Sequence, residues 1–389
     1  LKICYVALDV EVPYTGVGGS GGSVHAYEVA KNLVKRGHKI ELICMKAMRT
    51  QEYKGVLEDI KIHRIYTGAD KVKAVKERSE RTKRLLNGLA PILKKSFYMS
   101  LGLNVARIAK DCDIIYERAS SLGAGGIASL ITGKPLVLEV NDPMMSNISL
   151  RLARKIVTTS RKIVKGSVRK KVIEVVWGCH TEMFHPRVDP SIVLEKYSLK
   201  SKKVLLYTGS FAPWHGVDTI IEAAKRLIHE NIVFLMVGSG ENLYKYEREV
   251  SRLGLSKLFV FTGAVSYEEM PMHICAADVA IAPFDPEKNE LTKRYGFFYT
   301  PFKIFEYMAC GRPIITTGVG NIIKILEDGK TAVFIKSGDA EALADSILKL
   351  LSDDDLRTRI GETAGREVKK HSWEEHVKIL EEIFYEVKG

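Results

Sequence analysis

Phe298-Tyr299-Thr300-Pro301-Phe302-Lys303-Ile304-Phe305-Glu306-Tyr307-Met308-Ala309-Cys310-Gly311-Arg312-Pro313 lies between an apolar run ending at Ala282-Pro283 and another starting at Pro313. A short strand, a helix and a second strand in that order make one unit of a parallel sheet. The helix is expected to begin near Pro301, beside the C-terminal ends of the strands, the edge at which open parallel sheets bind ligands. Outward from this stretch, the same rhythm fills the second half of the chain. Val204–Tyr207, Ile232–Val237, Phe259–Phe261, Asp278–Ala282, Pro313–Thr316 and Ala332–Ile335 read as strands, each followed by helical sequence. The first half repeats it less cleanly: Ile3–Leu8, a helix from about Val24 to Arg36 closed by Gly37, then Ile40–Met45, Asp113–Tyr116, Pro135–Val140, Ile156–Thr159 and Val172–Val176.

The fold class that follows is α/β, with two doubly wound Rossmann-like domains facing across a cleft. A chain of 389 residues suits two cores of ordinary size better than one. Between Gly178 and Ser201 there is little apolar strand sequence, and His185-Pro186 and Asp189-Pro190 disfavour continuous helix, which places the linker there. The expected division is an N-terminal domain over 1–183, a C-terminal domain over 184–371, and a final helix over 372–389 crossing back to the first domain. Ser266-Tyr267-Glu268-Glu269 and Ser372-Trp373-Glu374-Glu375 both fit the capping box, in which Ser and Glu satisfy each other's stranded amides.

With 46% hydrophobic and 27% charged residues the chain has the composition of a folded enzyme rather than a disordered segment. No apolar run approaches the roughly 18 residues that span a bilayer, and the chain opens on a strand, so a cytoplasmic location is expected. The six cysteines are scattered singly, without the paired spacing of zinc or redox sites, and read as small core residues. Charge is unevenly divided. Residues 1–183 hold 32 Lys and Arg against 17 Asp and Glu (+15), leaving 27 against 30 (−3) for the rest of the +12 chain. The excess concentrates in Lys71 to Arg84 and in Arg151 to Lys171, which favours an anionic partner such as a phospholipid surface or a phosphate-bearing acceptor. The runs lack the interleaved aromatics that stack bases, so nucleic acid is not expected.

After the first strand, Gly16, Gly18 and Gly21 spell G-x-G-x-x-G. A nicotinamide-binding loop would sit tight against its strand and carry an acid at the end of the second strand. Here about eight residues separate Leu8 from Gly16, and the second strand ends at Met45-Lys46. What remains is a side-chain-free loop entering a helix near Ser23, suited to an anion; Gly21 and Gly22 are its candidate contacts.

The Phe298–Pro313 stretch resembles family 4 of the retaining glycosyltransferases, the "glycosyl transferases group 1" proteins of GT-B fold. The resemblance covers essentially the whole chain. Supporting pieces come in the family's order: the Gly-rich opening, Val176-Trp177-Gly178-Cys179-His180, Tyr207-Thr208-Gly209-Ser210-Phe211-Ala212-Pro213-Trp214-His215-Gly216-Val217-Asp218, Val237-Gly238-Ser239-Gly240-Glu241, and the closing helix from Ser372. It implies that Glu306 binds the two ribose hydroxyls of a nucleotide-sugar and that amides around Phe302 and Lys303 meet the diphosphate. The backbone of Val265 would contact the base, with Gly209, Ser210, Tyr299, Thr300 and Pro301 completing the donor site. It also implies transfer with retention, by front-face substitution without metal, in which the departing diphosphate takes the acceptor's proton.

Three departures matter. Ser210 and His215 stand where the family carries Arg and Lys, so Lys303 with His215 is expected to replace that cationic pair. Phe298 occupies the place of a sugar-binding glutamate, leaving Glu287, Glu290 or Arg294 as candidates. Asn141 takes the position of a His; Asn141, Glu139 and Arg118 are the candidates for orienting acceptor or sugar. Asp111-Cys112-Asp113 precedes its strand, away from the ligand edge, so neither metal nor cofactor is expected. The donor expected is a UDP- or GDP-sugar, and the acceptor a sugar, lipid-linked or phosphorylated. Alternatives are a nucleotide-sugar epimerase or phosphorylase of the same fold, or a basic membrane-surface or nucleic-acid-binding protein without catalysis.

Overall fold

The computed structural model describes residues 1–10, 12, 21–45, 59–65, 96–118, 122–143 and 146–389. They form two compact units, the first running from the start of the chain to Val175 and taking back His376–Gly389, the second Val176–Glu375.

The first unit is built on β1 (Lys2–Ala7), β2 (Lys39–Met45), β3 (Ile60–Ile65), β4 (Ile114–Arg118), β5 (Leu136–Val140), β6 (Lys155–Thr158) and β7 (Val172–Glu174). These are parallel, in the order β3-β2-β1-β4-β5-β6-β7. Every residue of β4 and β5, and of β1 after Lys2, is buried, as in a sheet covered on both faces. The second sheet consists of β8 (Lys203–Thr208), β9 (Ile232–Val237), β10 (Phe259–Gly263), β11 (Val279–Ala282), β12 (Ile314–Thr317) and β13 (Val333–Ile335). They too are parallel, in the order β10-β9-β8-β11-β12-β13. Apolar side chains cover both of its faces, in one cluster around Leu206, Ala280 and Ile304 and another around Leu205, Phe234 and Ile281.

Strand order reverses beside β1 in the first sheet and beside β8 in the second. In open α/β sheets such switch points leave a crevice at the strands' C-terminal ends. Two glycines allow the chain to crowd there in the second unit. A Cβ on Gly238 (φ +137°) would lie 2.0 Å from the Gly209 carbonyl oxygen, and one on Gly216 (φ +75°) 1.7 Å from that of Pro283. Both positions demand glycine on space and on backbone conformation.

Several expectations need revision. β3 reads as no strand in the sequence, because Lys61, His63 and Arg64 interrupt its apolar pattern; it is an edge strand, where such residues are tolerated. The helix expected from about Val24 begins at Gly21 and ends at Lys35. The units divide at Val175/Val176 rather than 183/184. The supposed linker is packed: Cys179, Phe184, Val193 and Leu199 join the second unit's core, and a short helix, Ser191–Lys196, forms after Pro190. The Cys179 amide donates to the His371 carbonyl (2.8 Å), tying this segment to the chain just before the last helix, Trp373–Lys388. In both predicted capping boxes the Ser hydroxyl accepts from the Glu amide, at 3.3 Å for Ser266 and Glu269 and 3.2 Å for Ser372 and Glu375. Among the described residues no helix is long and apolar enough to cross a membrane.

Candidate functional site

In the second unit the Phe302–Ala309 helix comes after β11 and an aromatic segment, and its first turn brings Lys303 against Gly209 at the end of β8, beside which the strand order reverses. Two anchors hold it. The Tyr307 hydroxyl accepts from the Thr208 amide at 2.8 Å at the end of β8, and Trp177 stacks on Phe302 with centroids 5.0 Å apart. Asn321 donates to the Phe298 carbonyl at 2.8 Å and fixes the approach to the helix, where Thr300 is buried and Pro301 and Phe302 are half-buried. No side chain caps the first turn, so its free amides are available to an anion.

Lys303, in that first turn, is only 7% exposed, and its Nζ has no hydrogen-bond partner among the described residues. It lies over the ring of Tyr207 at 4.2 Å and 5.5 Å from that of Phe284. A Cβ on Gly209 would stand 2.7 Å from the same nitrogen. Burial outweighs the nearby Glu306 and brings the Lys303 ammonium down to about 7. One turn later Glu306 is equally buried. Burial raises its carboxyl to about 7, against the opposing pull of Lys303 and a hydrogen bond from Tyr267. An ammonium without an acceptor and a carboxylate with spare lone pairs thus share one helix face at a ligand-binding edge.

His215 corrects an expectation. It is buried in the turn Pro213–His215, where its Nδ1 donates to the Ser210 carbonyl at 2.6 Å, with the Tyr207 hydroxyl 3.0 Å away. Burial first, and the charge of Lys303 second, push it down to about 3. It is a neutral imidazole that shapes the Gly209–His215 loop, and Lys303 is the cation of this cluster. Ser210 is exposed beside it, Gly209 follows β8 directly, and Val265 and Tyr299 are half-buried. Trp214 stacks on Tyr299 at 4.9 Å. Of the sugar-binding candidates, Glu290 is exposed and paired with Lys293 at 3.0 Å, Arg294 lies over Tyr295, and Glu287 donates its amide to Asp285 in the turn Pro286–Lys288.

The first unit carries a second polar cluster at its own switch point. Arg118, at the end of β4, is 4% exposed; its Nη1 is paired with Asp9 and its Nε donates to His25 Nδ1 at 3.3 Å. Because Nδ1 accepts, the proton of neutral His25 is on Nε2, 3.2 Å from Glu139 Oε1. Glu139 accepts from the Tyr116 hydroxyl (2.5 Å) and from Asn141 Nδ2 (2.8 Å), and Asn141 Oδ1 has no partner among the described residues. Arg118, Glu139 and Asn141 are therefore brought together. His25, Asp9 and Tyr116 join them without having been singled out in the sequence; a histidine on the buried face of the Gly21–Lys35 helix was the available signal. Gly21 and Gly22 form the first turn of that helix rather than a loop, and a Cβ on Gly22 would lie 3.0 Å from Arg118 Nη2. Gly16 to Ser20, and the basic run Lys71 to Arg84, lie outside the described residues. Asp113 is committed elsewhere, to the Lys2 amide (2.7 Å) and Lys388 (3.0 Å). Among the described residues no group of three or more His, Cys, Asp or Glu could hold a metal ion.

The fold of the chain recurs in solved structures. An Anabaena protein, HepE, in complex with UDP-glucose superposes with a TM-score of 0.72 over 99% of each chain at 17% identity. The fold is GT-B. Within this GT-B chain, residues 202–353 match the family described as "Glycosyl transferases group 1", a span holding Gly209, His215, Lys303 and Glu306. It is 28% identical over 173 residues to the alpha-D-kanosaminyltransferase of Streptomyces kanamyceticus, covering 44% of this chain and 42% of that protein. The chain therefore spans less than half the length of that relative. To the N-acetyl-alpha-D-glucosaminyl L-malate synthase of Bacillus anthracis it is 23% identical, over 96% of this chain and 95% of the relative.

Proposed function

We propose that this chain is a retaining glycosyltransferase that moves a sugar from a nucleoside-diphosphate sugar to a hydroxyl-bearing acceptor. The observation that carries the reading is the buried, acceptor-free ammonium of Lys303 in the uncapped first turn of a helix whose next turn presents Glu306. A diphosphate satisfies the ammonium and the helix amides together, and a ribose diol satisfies the carboxylate. UDP is the nucleotide to test first, since it is the one bound by the structural neighbour.

In this reading the bond between the sugar's anomeric carbon and the diphosphate oxygen breaks while the acceptor oxygen bonds to that carbon on the same face. The departing diphosphate takes the acceptor's proton. Lys303 and the amides of Phe302 and Lys303 stabilise the charge that develops, so neither a metal nor a resident cofactor is required of the mechanism. In the first unit Asn141, oriented by Glu139, and Arg118 position the acceptor. Lys162, Arg169 and Lys170, exposed on the turns between β6 and β7, suit peripheral contact with an anionic lipid surface from which a lipid-linked acceptor is taken. Thermal-shift screening against UDP-, GDP- and ADP-sugars tests the donor class. A rise in melting temperature with one nucleotide series is expected, and no response to any of them would remove the reading.

A further inference from the structure

At the switch point of the first unit the Arg118 guanidinium is only partly engaged. Its Nε donates to His25 and its Nη1 to Asp9, while no described residue accepts from Nη2. Burial keeps His25 neutral, so of these groups the guanidinium alone carries positive charge. Asp9 is the less enclosed partner. It stands just past the end of β1, and its side chain is 32% exposed against 5% for Arg118. Partial burial raises its carboxyl above the ordinary value in spite of Arg118, so ionised Asp9 is less stable there than in water. Gly22 leaves Nη2 uncovered, since a Cβ at that position would stand 3.0 Å from it. Two more atoms of the cluster lack partners among the described residues. The Tyr5 hydroxyl is wholly buried where its ring stacks on Tyr116 (4.8 Å), and the charges acting on it are those of Glu139, Arg118 and Asp9. Asn141 Oδ1 receives no donor, because the amide is turned with its Nδ2 to Glu139, a group that accepts. Arg118, His25, Glu139 and Asn141 form one hydrogen-bonded chain, with spare donors at one end and a spare acceptor at the other.

We propose that this cluster binds a small polyol bearing a carboxylate or phosphate, and that Asp9 holds the seat of that oxyanion on Arg118 until the ligand displaces it. That the ligand is the acceptor rests on the proposed transferase activity; the seat itself does not. Two oxygens of a carboxylate or phosphate match the fork of Nη1 and Nη2, whereas Asp9 takes Nη1 alone. Exchange of one anion for another keeps the guanidinium paired and the charge of the cluster unchanged, while Asp9 returns to water. The Tyr5 hydroxyl is a further donor to the oxyanion. At the other end of the chain Asn141 Oδ1 accepts from one hydroxyl of the polyol and positions it; the hydroxyl that is glycosylated is a different one, whose proton goes to the departing diphosphate. A neutral polyol leaves Asp9 in place and gains only the contact at Asn141.

Glycerate, glycerol 3-phosphate and glycerol share hydroxyls and differ in the oxyanion. Each is titrated calorimetrically, at constant ionic strength and without nucleotide, into the full chain. At least one of the two anions is expected to bind about tenfold more tightly than glycerol, and the tighter of them tells a carboxylate ligand from a phosphate. Asp9→Asn, which removes the competing charge, is expected to raise the affinity for that anion by about tenfold or more, and Arg118→Gln to lower it by as much. Should Arg118→Gln not fold, Arg118→Lys is measured; it keeps the charge, loses the fork, and is expected to bind the anion more weakly than the wild type. A merely structural ion pair does not yield tighter binding when its acid is removed. Anions that bind no more tightly than glycerol, or an Asp9→Asn affinity no higher than wild type, overturn the proposal. UDP titrated into the same proteins reports on the second unit. The anion response without UDP binding keeps the seat and removes the nucleotide reading; UDP binding without the anion response does the reverse.

Discussion

At Lys303 the chain bears a cost that folding alone does not explain. Each unit of pKa displacement corresponds to about 1.4 kcal/mol, and burial brings this ammonium down to about 7 while no described residue accepts a hydrogen bond from it. Glu306 bears the mirror-image cost. Groups kept this way at a sheet's switch point are poised for a ligand rather than for the core. Glu306→Ala is expected to weaken UDP binding by about 1–3 kcal/mol, the scale of lost hydrogen bonds to a charged group; calorimetry checks it, and unchanged affinity would count against the assignment. These two residues were legible in the sequence because a single helix carries them. The first-unit cluster was legible only in part. His25, Asp9 and Tyr116 meet Arg118 and Glu139 through strand order, which no local pattern reports, whereas Glu139 and Asn141 mark the end of one recognisable strand. His215 stood out through its neighbours Trp214 and Gly216, yet its protonation depended on burial, which the motif does not reveal.

Elements place these residues, and their own fastenings are testable. Glu117, beside Arg118 on β4, turns to the opposite face of the sheet, where it accepts from the Gly125 amide (3.0 Å) and the Ser149 hydroxyl (2.5 Å). It thereby caps the Ala124–Thr132 helix, whose first turn has no other side-chain cap. Burial lifts its carboxyl to about 7 from an ordinary value of 4.5. A folded-state value above the unfolded one means that the protonated form stabilises the fold. That contribution is complete below about pH 4.5 and is lost as the pH rises through about 7. Glu117→Gln cannot titrate, so the stability advantage of the wild type over this variant is expected to shrink between pH 4.5 and 8; an advantage constant across that range contradicts the assignment. Strands with unbroken apolar runs, such as β9, were legible to the residue. β3 was not, because an edge strand can carry charge on its open side. The segment from Gly178 to Ser201 looked like a linker for want of strand pattern, yet single apolar residues dispersed through turns suffice to bind it to the core.

Over the whole molecule, two parallel sheets with strand-order reversals beside their central strands account for a site in each unit. The doubly wound architecture was readable from the strand–helix rhythm alone; the division at Val175/Val176 was not, because it falls inside the apolar run Val172–Val176 that reads as one strand. Charge is distributed on the same scale. Of the basic run from Arg151 to Lys171, Arg154, Lys155, Arg161 and Lys171 are engaged within the first unit, whereas Lys162, Arg169 and Lys170 are exposed. Surface cations act over about one Debye length, roughly 10 Å at 0.1 M salt. Binding to vesicles containing phosphatidylserine is therefore expected to fall steeply as salt rises, and to be absent on neutral vesicles. Equal binding to both would place the interaction elsewhere than in these charges.

The central claim is that Lys303 is the cation that receives the diphosphate of a bound nucleotide. Calorimetric titration of UDP and of uridine into the wild type and Lys303→Met tests it most directly. The expected result is UDP affinity lower by tenfold or more in the variant, about 1.4 kcal/mol or above, with uridine affinity changed far less. UDP affinity equal in the two proteins would contradict it.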